Sequence, residues 1–254
     1  MRPKFIACCT PTLGSTSVEW ASILRAMAWP MNIGYTNFFV RDEVGREIAE
    51  ARNRCVQLAL EYDNERHELS EVFWLDDDVL VMNRLALLVL RGHNRPIASG
   101  VYFTKCEPSE PLLFPGRGCG TAPFPAEGAH EMWGHGMGLA LVRTEVYRRM
   151  LKELDLGVDK YGRPAWYRTT GYEHAEVDGD VVWTGGTEDL YFLENASKLG
   201  YKPLVDCTRA AFGWHYDRDK DVGFPLKQWK QWRGGESITW DTEKGAVEWQ
   251  RPKT

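Results

Sequence analysis

Over the first hundred positions, short apolar runs alternate with amphipathic stretches. Phe5 to Cys9 is apolar and stops at Thr10-Pro11-Thr12 and Gly14, which predicts a buried strand running into a turn. Ser17 is placed to cap a helix in which Trp20, Ile23, Leu24 and Met27 share one face, and Trp29-Pro30 ends it. Asn32 to Val40 reads as a second strand. Residues 43–61 carry Val44, Ile48, Cys55 and Leu58 or Ala59 at helical spacing, and the polar stretch 62–70 reads as a loop. Val72 to Leu75 is a short buried strand that runs straight into Asp76-Asp77-Asp78. An apolar helix over 83–91 and a strand over Pro96 to Phe103 complete this half. Such alternation predicts an α/β fold, a parallel, doubly wound sheet with helices on both faces. Ligands of such sheets bind beyond the carboxyl ends of the strands, where Thr10, Thr12 and the three acids are expected.

The second half is less regular. Residues 105–135 are rich in Gly and Pro and read as a long loop. Gly138 to Val142 reads as a strand and Thr144 to Leu154 as a helix. Residues 157–187 are polar, Gly-rich and aromatic without a clear period, the pattern of a functional loop or lid, or else of a disordered segment. Glu188 to Leu199 is a helix with Thr187 at its cap and Gly200 at its stop. Residues 203–206 and 211–215 read as strands, and the tail containing KQWKQWRGG as a short helix with an irregular end.

The 254 residues suit one large α/β domain, alone or with a small appendage, and the composition is ordinary for a globular chain. A net charge of −5 argues against a binder that relies on phosphate attraction. Cys8, Cys9, Cys55, Cys106, Cys119 and Cys207 form no C-x-x-C pair and read as buried free thiols. The apolar part of MRPKFIACCTPT is too short for a signal peptide, and no run is long and apolar enough to span a membrane. These features predict a cytoplasmic protein with no membrane span.

Four constellations carry candidate chemistry. FWLDDDVL delivers three carboxylates to a strand end, where they need a cation or strong hydrogen bonding to coexist. Hard divalent cations, Mn²⁺ or Mg²⁺, suit such oxygens and share them with phosphates. In an extended chain Asp76 and Asp78 point one way and Asp77 the other. Arg52, in ARNR, lies on the inward side of its helix and calls for a buried anion: a ligand's diphosphate or a protein carboxylate. Glu188 and Asp189 begin a helix, where the dipole favours carboxylates and would keep a general base ionised. His215 ends a short strand in AFGWHYD and could complete a metal shell with Asp78. His135, in the glycine-rich WGHGMG, is a weaker candidate of the same kind.

The ordered set of motifs resembles a GT-A fold glycosyltransferase, near the family-2 group and its short bacterial and phage-borne members. The elements carrying the resemblance are Thr10-Pro11-Thr12, Ala51-Arg52-Asn53, the DxD of Asp76 to Asp78, GVYF, GHGMGLALVR, TEDLYF and Gly213-Trp214-His215, over residues 4–216. It implies a Rossmann-like, mostly parallel twisted sheet, with a nucleotide-binding half over about 1–103 and a smaller acceptor-side half over about 104–216. Residues 217–254 would be a tail or lid.

It also implies that Asp78, with His215 and Asp76, holds Mn²⁺ or Mg²⁺, and that Thr10, Thr12, Arg52, Asn53, Asp76 and Gly136 lie around a nucleotide-sugar donor, UDP being favoured. Asp189, next to Glu188, would deprotonate a hydroxyl acceptor, with inversion at the sugar. That acceptor could be a saccharide, a protein, a small molecule or a modified nucleic acid. Two other readings stay open: a nucleotidyltransferase using the same carboxylates, and a non-catalytic sugar- or nucleotide-binding module.

Overall fold

The computed structural model describes residues 4–12, 16–31, 33–41, 47–66, 69–106, 109–117, 120–122, 128–177, 180–225, 228–233, 236–241 and 245–250. Gly14, Asn32, Val44, Cys119 and Lys227, which the sequence reading used, lie outside them.

In chain order the elements are β1 (Lys4–Thr12), α1 (Val18–Ala26), β2 (Ile33–Arg41), α2 (Ile48–Arg66), β3 (Leu69–Leu75), β4 (Val79–Val81), α3 (Ala86–Gly92) and β5 (Ile97–Gly100). There follow β6 (Leu113–Phe114), β7 (Ala129–Glu131), β8 (Gly134–His135), β9 (Leu139–Arg143), α4 (Thr144–Glu153), β10 (Thr170–Val177), β11 (Asp180–Gly186) and α5 (Glu188–Lys198). The chain ends with β12 (Leu204–Asp206), a 3₁₀ turn (Arg209–Ala211), β13 (Gly213–Asp217), β14 (Val222–Phe224), β15 (Gln228–Arg233), β16 (Glu236–Asp241) and β17 (Gly245–Gln250).

Seven strands form the central sheet in the order β2-β1-β3-β9-β5-β12-β7. Neighbours β1, β2 and β3 are parallel, as are β5 and β12, while β9 and β7 run antiparallel to their partners. The sheet is thus mixed and mostly parallel, as expected for an α/β fold of this kind. Among the described residues no helix, the usual carrier of a parallel crossover, lies between β5 and β9.

Alternation along each strand divides the core into two layers. Ala7, Cys9, Val72, Trp74, Ala140 and Val142 face buried residues of α2, α4 and α5, among them Cys55, Val56, Tyr147, Met150 and Phe192. Ile6, Cys8, Phe73, Leu75, Leu139 and Leu141 face Trp20 of α1 and Leu87 and Leu90 of α3. Helices therefore cover both sheet faces.

Local signals account for the ends. The Ser17 side chain accepts from Trp20 N at 3.0 Å and starts α1. Thr187 occupies the cap position of α5 but makes no side-chain capping bond there, and Gly200, at φ +82°, terminates that helix.

Several regions depart from the sequence reading: α2 runs to Arg66 and β3 starts at Leu69 within the expected 62–70 loop, and the expected 105–135 loop carries β6, β7 and β8. Two more lie further along the chain. Residues 157–187 contain an antiparallel hairpin of β10 and β11. The KQWKQWRGG stretch forms strand β15 of a β15-β16-β17 meander, not a helix. In both, cross-strand partners supply hydrogen bonds that a local periodicity does not reveal. Of the cysteines, Cys8, Cys9, Cys55 and Cys207 are buried free thiols, whereas Cys106 is exposed. No helix among the described residues is long and apolar enough to cross a membrane.

Candidate active site

The three acids lie just past the carboxyl end of β3, in a turn closed by the Val79 N–H on Asp76 O at 3.0 Å. The chain is no longer extended there, so the expected alternation of Asp76 and Asp78 against Asp77 does not govern them. Each acid instead has its own basic partner from a distant part of the chain.

Asp76 is gripped by Arg52 of α2, Nη1 to Oδ1 at 3.0 Å and Nη2 to Oδ2 at 2.8 Å. The backbone around it is pinned by the Trp20 indole N–H on Asp76 O at 2.8 Å and by Asp76 N on Gly138 O at 3.0 Å. Asp77 accepts from Thr12 Oγ1 at 2.6 Å, and Arg218 pairs with its carboxylate at 2.9 Å while donating to its carbonyl at 2.7 Å. Asp78 Oδ2 pairs with Lys105 Nζ at 2.5 Å and faces His215 Nε2 at 3.4 Å.

The Asp78–His215 approach follows from strand pairing, because β13 runs antiparallel beside β4 with His215 opposite Val79. His215 Nδ1 lies 2.8 Å from Phe103 O, which can only accept, so Nδ1 carries a proton and Nε2 is the nitrogen turned to Asp78. The Tyr102 ring meets the imidazole edge-on at 5.3 Å. Burial raises the Asp78 carboxyl, but His215 and Lys105 outweigh it and hold the group below its ordinary range.

Arg52 is the hub of a second cluster. It is 1% exposed, and its Nε donates to Glu188 Oε1 at 3.2 Å and lies 3.6 Å from Asp189 Oδ1. The guanidinium carbon sits 5.1 Å from the Trp74 ring centroid and 5.9 Å from that of Tyr167. The buried anion that the sequence called for is thus supplied by the protein's own Asp76, Glu188 and Asp189. One guanidinium cannot neutralise three carboxylates. Burial, with Glu188 beside it, pushes the Asp189 carboxyl well above its ordinary range despite Arg52. This corrects the expectation of a lowered value at the helix start: desolvation outweighs the dipole. Asp189 Oδ2 accepts from Met137 N at 3.1 Å, while its buried Oδ1 has no hydrogen-bond partner.

Other expected residues are placed differently. The Asn53 amide is tied to Tyr167 at both ends, donating to its carbonyl and accepting from its N–H, each at 2.9 Å. Both polar ends of a buried Asn are thereby satisfied without a ligand. Thr10 is fully buried beside the Cys8 thiol. The glycines of the 134–138 loop allow close approach, but to the protein itself. A Cβ on Gly136 would meet Tyr102 Oη at 2.3 Å, and one on Gly138 would meet Asp76 Oδ2 and Tyr102 Oη at 2.9 Å. Tyr102 Oη accepts from Gly138 N at 2.8 Å. His135 is 1% exposed, with Nδ1 on Gly136 O, and burial lowers its pKa to about 4.

Sequence reasoning missed Lys105, Arg218 and Tyr102. Tyr102 lies inside the quoted GVYF element. Lys105 is hidden in an aperiodic Gly- and Pro-rich stretch, and Arg218 lies past the expected domain end, so local pattern marked neither of them.

Among the described residues no group of three or more His, Cys, Asp or Glu side chains is arranged to hold a metal ion. Asp78 and a correctly oriented His215 make two suitable donors, and two protein ligands are enough for an ion that also takes phosphate oxygens and water. Both oxygens of Asp76 are engaged by Arg52.

No family model matches the sequence, and no curated protein matches it. Among solved structures, the crystal structure of A197 from STIV is similar over 99% of this chain and 95% of that chain, with a TM-score of 0.50 and 13% identity. At that identity the likeness shows the fold, an α/β sheet flanked by helices.

Proposed function

We propose that this chain is a metal-dependent glycosyltransferase that moves a sugar from a nucleotide-sugar donor, UDP-linked by preference, to a hydroxyl acceptor with inversion. The observation that carries this reading is the convergence at the end of β3. Asp78 faces His215 there, and Arg52 ties Asp76 to the Glu188–Asp189 start of α5. The motif order that resembles GT-A enzymes thus meets in one place on a fold of the right class.

In this reading Asp78 and His215 hold Mn²⁺ or Mg²⁺, and the ion supplies charge neutralisation to the departing diphosphate. Asp76 is oriented by Arg52 toward the donor rather than ligating the metal. The acceptor oxygen forms a bond to the anomeric carbon as the sugar–diphosphate bond breaks, and its proton passes to Asp189. The buried Oδ1 of Asp189, which makes no hydrogen bond, and its raised affinity for a proton both support that role. The catalytic unit is read as residues 1–216, with 217–254 as an appended region, and Arg218 extends the support of the acid turn into that region.

The test is release of nucleoside diphosphate from a panel of nucleotide sugars with Mn²⁺. Asp78→Ala is expected to reduce it to background, and equal release by the variant would remove the metal assignment. Release of pyrophosphate instead would identify nucleotidyl transfer.

A further inference from the structure

The stretch Tyr102 to Lys105 surrounds the Asp78–His215 pair from one side. The Tyr102 ring lies against the imidazole, the Phe103 carbonyl fixes Nδ1, and the Lys105 ammonium sits on Asp78 Oδ2. That carboxylate oxygen is the same one that faces His215 Nε2. The residues flanking Lys105 are fixed by hydrogen bonds: Thr104 N donates to Glu110 O at 2.9 Å, Glu110 N donates to Thr104 Oγ1 at 3.0 Å, and Ser109 Oγ donates to Cys106 O at 2.7 Å. Lys105 and Asp78 are each about one-third exposed or less, so their pairing is partly shielded from water.

We infer that the Lys105 ammonium is an internal counter-ion on Asp78, and that a divalent cation must compete with it for that carboxylate. This rests on the metal reading of Asp78 and His215. An ammonium and a divalent cation held within a few ångströms of each other on one carboxylate repel, so each weakens the binding of the other. The metal-free protein therefore keeps the acid turn neutralised and folded, and part of the metal's binding free energy is offset by the competition with Lys105.

The experiment is direct Mn²⁺ binding, followed by the Mn²⁺ electron paramagnetic resonance signal, without donor. It compares the full-length wild type with Lys105→Met, Lys105→Arg and Asp78→Ala, each checked for folding by thermal melting. Lys105→Met is expected to bind Mn²⁺ roughly three- to fivefold more tightly than wild type, the factor at the upper end of what a partly exposed ion pair is worth. Lys105→Arg should stay within about twofold of wild type, because the competing charge is retained. Affinity unchanged or weakened in Lys105→Met, with Mn²⁺ still lost in Asp78→Ala, overturns the counter-ion role and leaves the metal reading intact. Mn²⁺ binding by wild type that persists in Asp78→Ala overturns both. Failure of both wild type and Lys105→Met to bind Mn²⁺ does the same.

Discussion

Arg52 and Asp76 meet through two parallel hydrogen bonds, a planar fork closed on a carboxylate 24 residues away at the end of the neighbouring strand. Because the same guanidinium also serves Glu188 and Asp189, it ties α2, the β3 turn and α5 into one unit. Replacing it leaves three carboxylates without their shared cation. Arg52→Met is expected to cost about 3–5 kcal/mol, the usual penalty for stranding a buried charge, read as a lowered urea midpoint. Arg52→Lys keeps the charge but not the fork, and should fall between.

Asn53 offers a contrast one residue along. Its two bonds to Tyr167 are buried and neutral, so Asn53→Ala should lose about 2–3 kcal/mol of stability. Nucleotide affinity of the folded variant should be unchanged. A selective loss of nucleotide binding with normal stability would contradict the structural role of this amide.

Two glycines separate close approach from open space. A Cβ on Gly100 would lie 2.0 Å from the Ala211 carbonyl oxygen, which belongs to the backbone and cannot swing aside. Gly100→Ala should therefore lose at least about 1–3 kcal/mol. Gly92, at the end of α3, has nothing within 4 Å of the same position. Gly92→Ala should be neutral or gain about 0.5–1 kcal/mol. Paired thermal melts decide it.

The pH dependence has two opposed parts. His135 stays neutral in the fold, with its pKa lowered by burial from 6.5 to about 4. The unfolded chain takes up the proton first, so stability is present above pH 6.5 and is lost as pH falls toward 4, by up to about 3 kcal/mol. His135→Gln should remove that slope in melts between those pH values.

Asp189 acts with the other sign. Burial and Glu188 raise its pKa, so the folded state holds the proton more tightly than the unfolded state. Its contribution is present below the ordinary carboxylate range and is lost as pH rises through the folded value. Asp189→Asn should be more stable than wild type at neutral pH and lack this decline, while sugar transfer drops to background. Transfer by the wild type should rise with pH as Asp189 ionises. A pH-independent rate would argue against Asp189 as the base.

Several of these features were legible along the chain. The apolar runs Phe5 to Cys9 and Val72 to Leu75 marked β1 and β3, because burial on both faces removes the need for polar alternation. Gly200 marked the end of α5 by the left-handed backbone it adopts. The three acids announced a charge problem at a strand end. These are local consequences of local chemistry, and the sequence by itself determined them.

The tertiary structure decided how that charge problem is solved. The cations that meet Asp76, Asp77 and Asp78 are Arg52, Arg218 and Lys105, and Arg218 lies 141 residues from its acid. The carboxylate at 188 lies 136 residues from the guanidinium it binds. Only the folded chain shows that Arg52 spends its charge on protein acids, that Asn53 is closed on Tyr167, and that burial lifts Asp189. Partner choice and desolvation depend on which distant segments the sheet brings together, and a carboxylate carries neither in its local pattern.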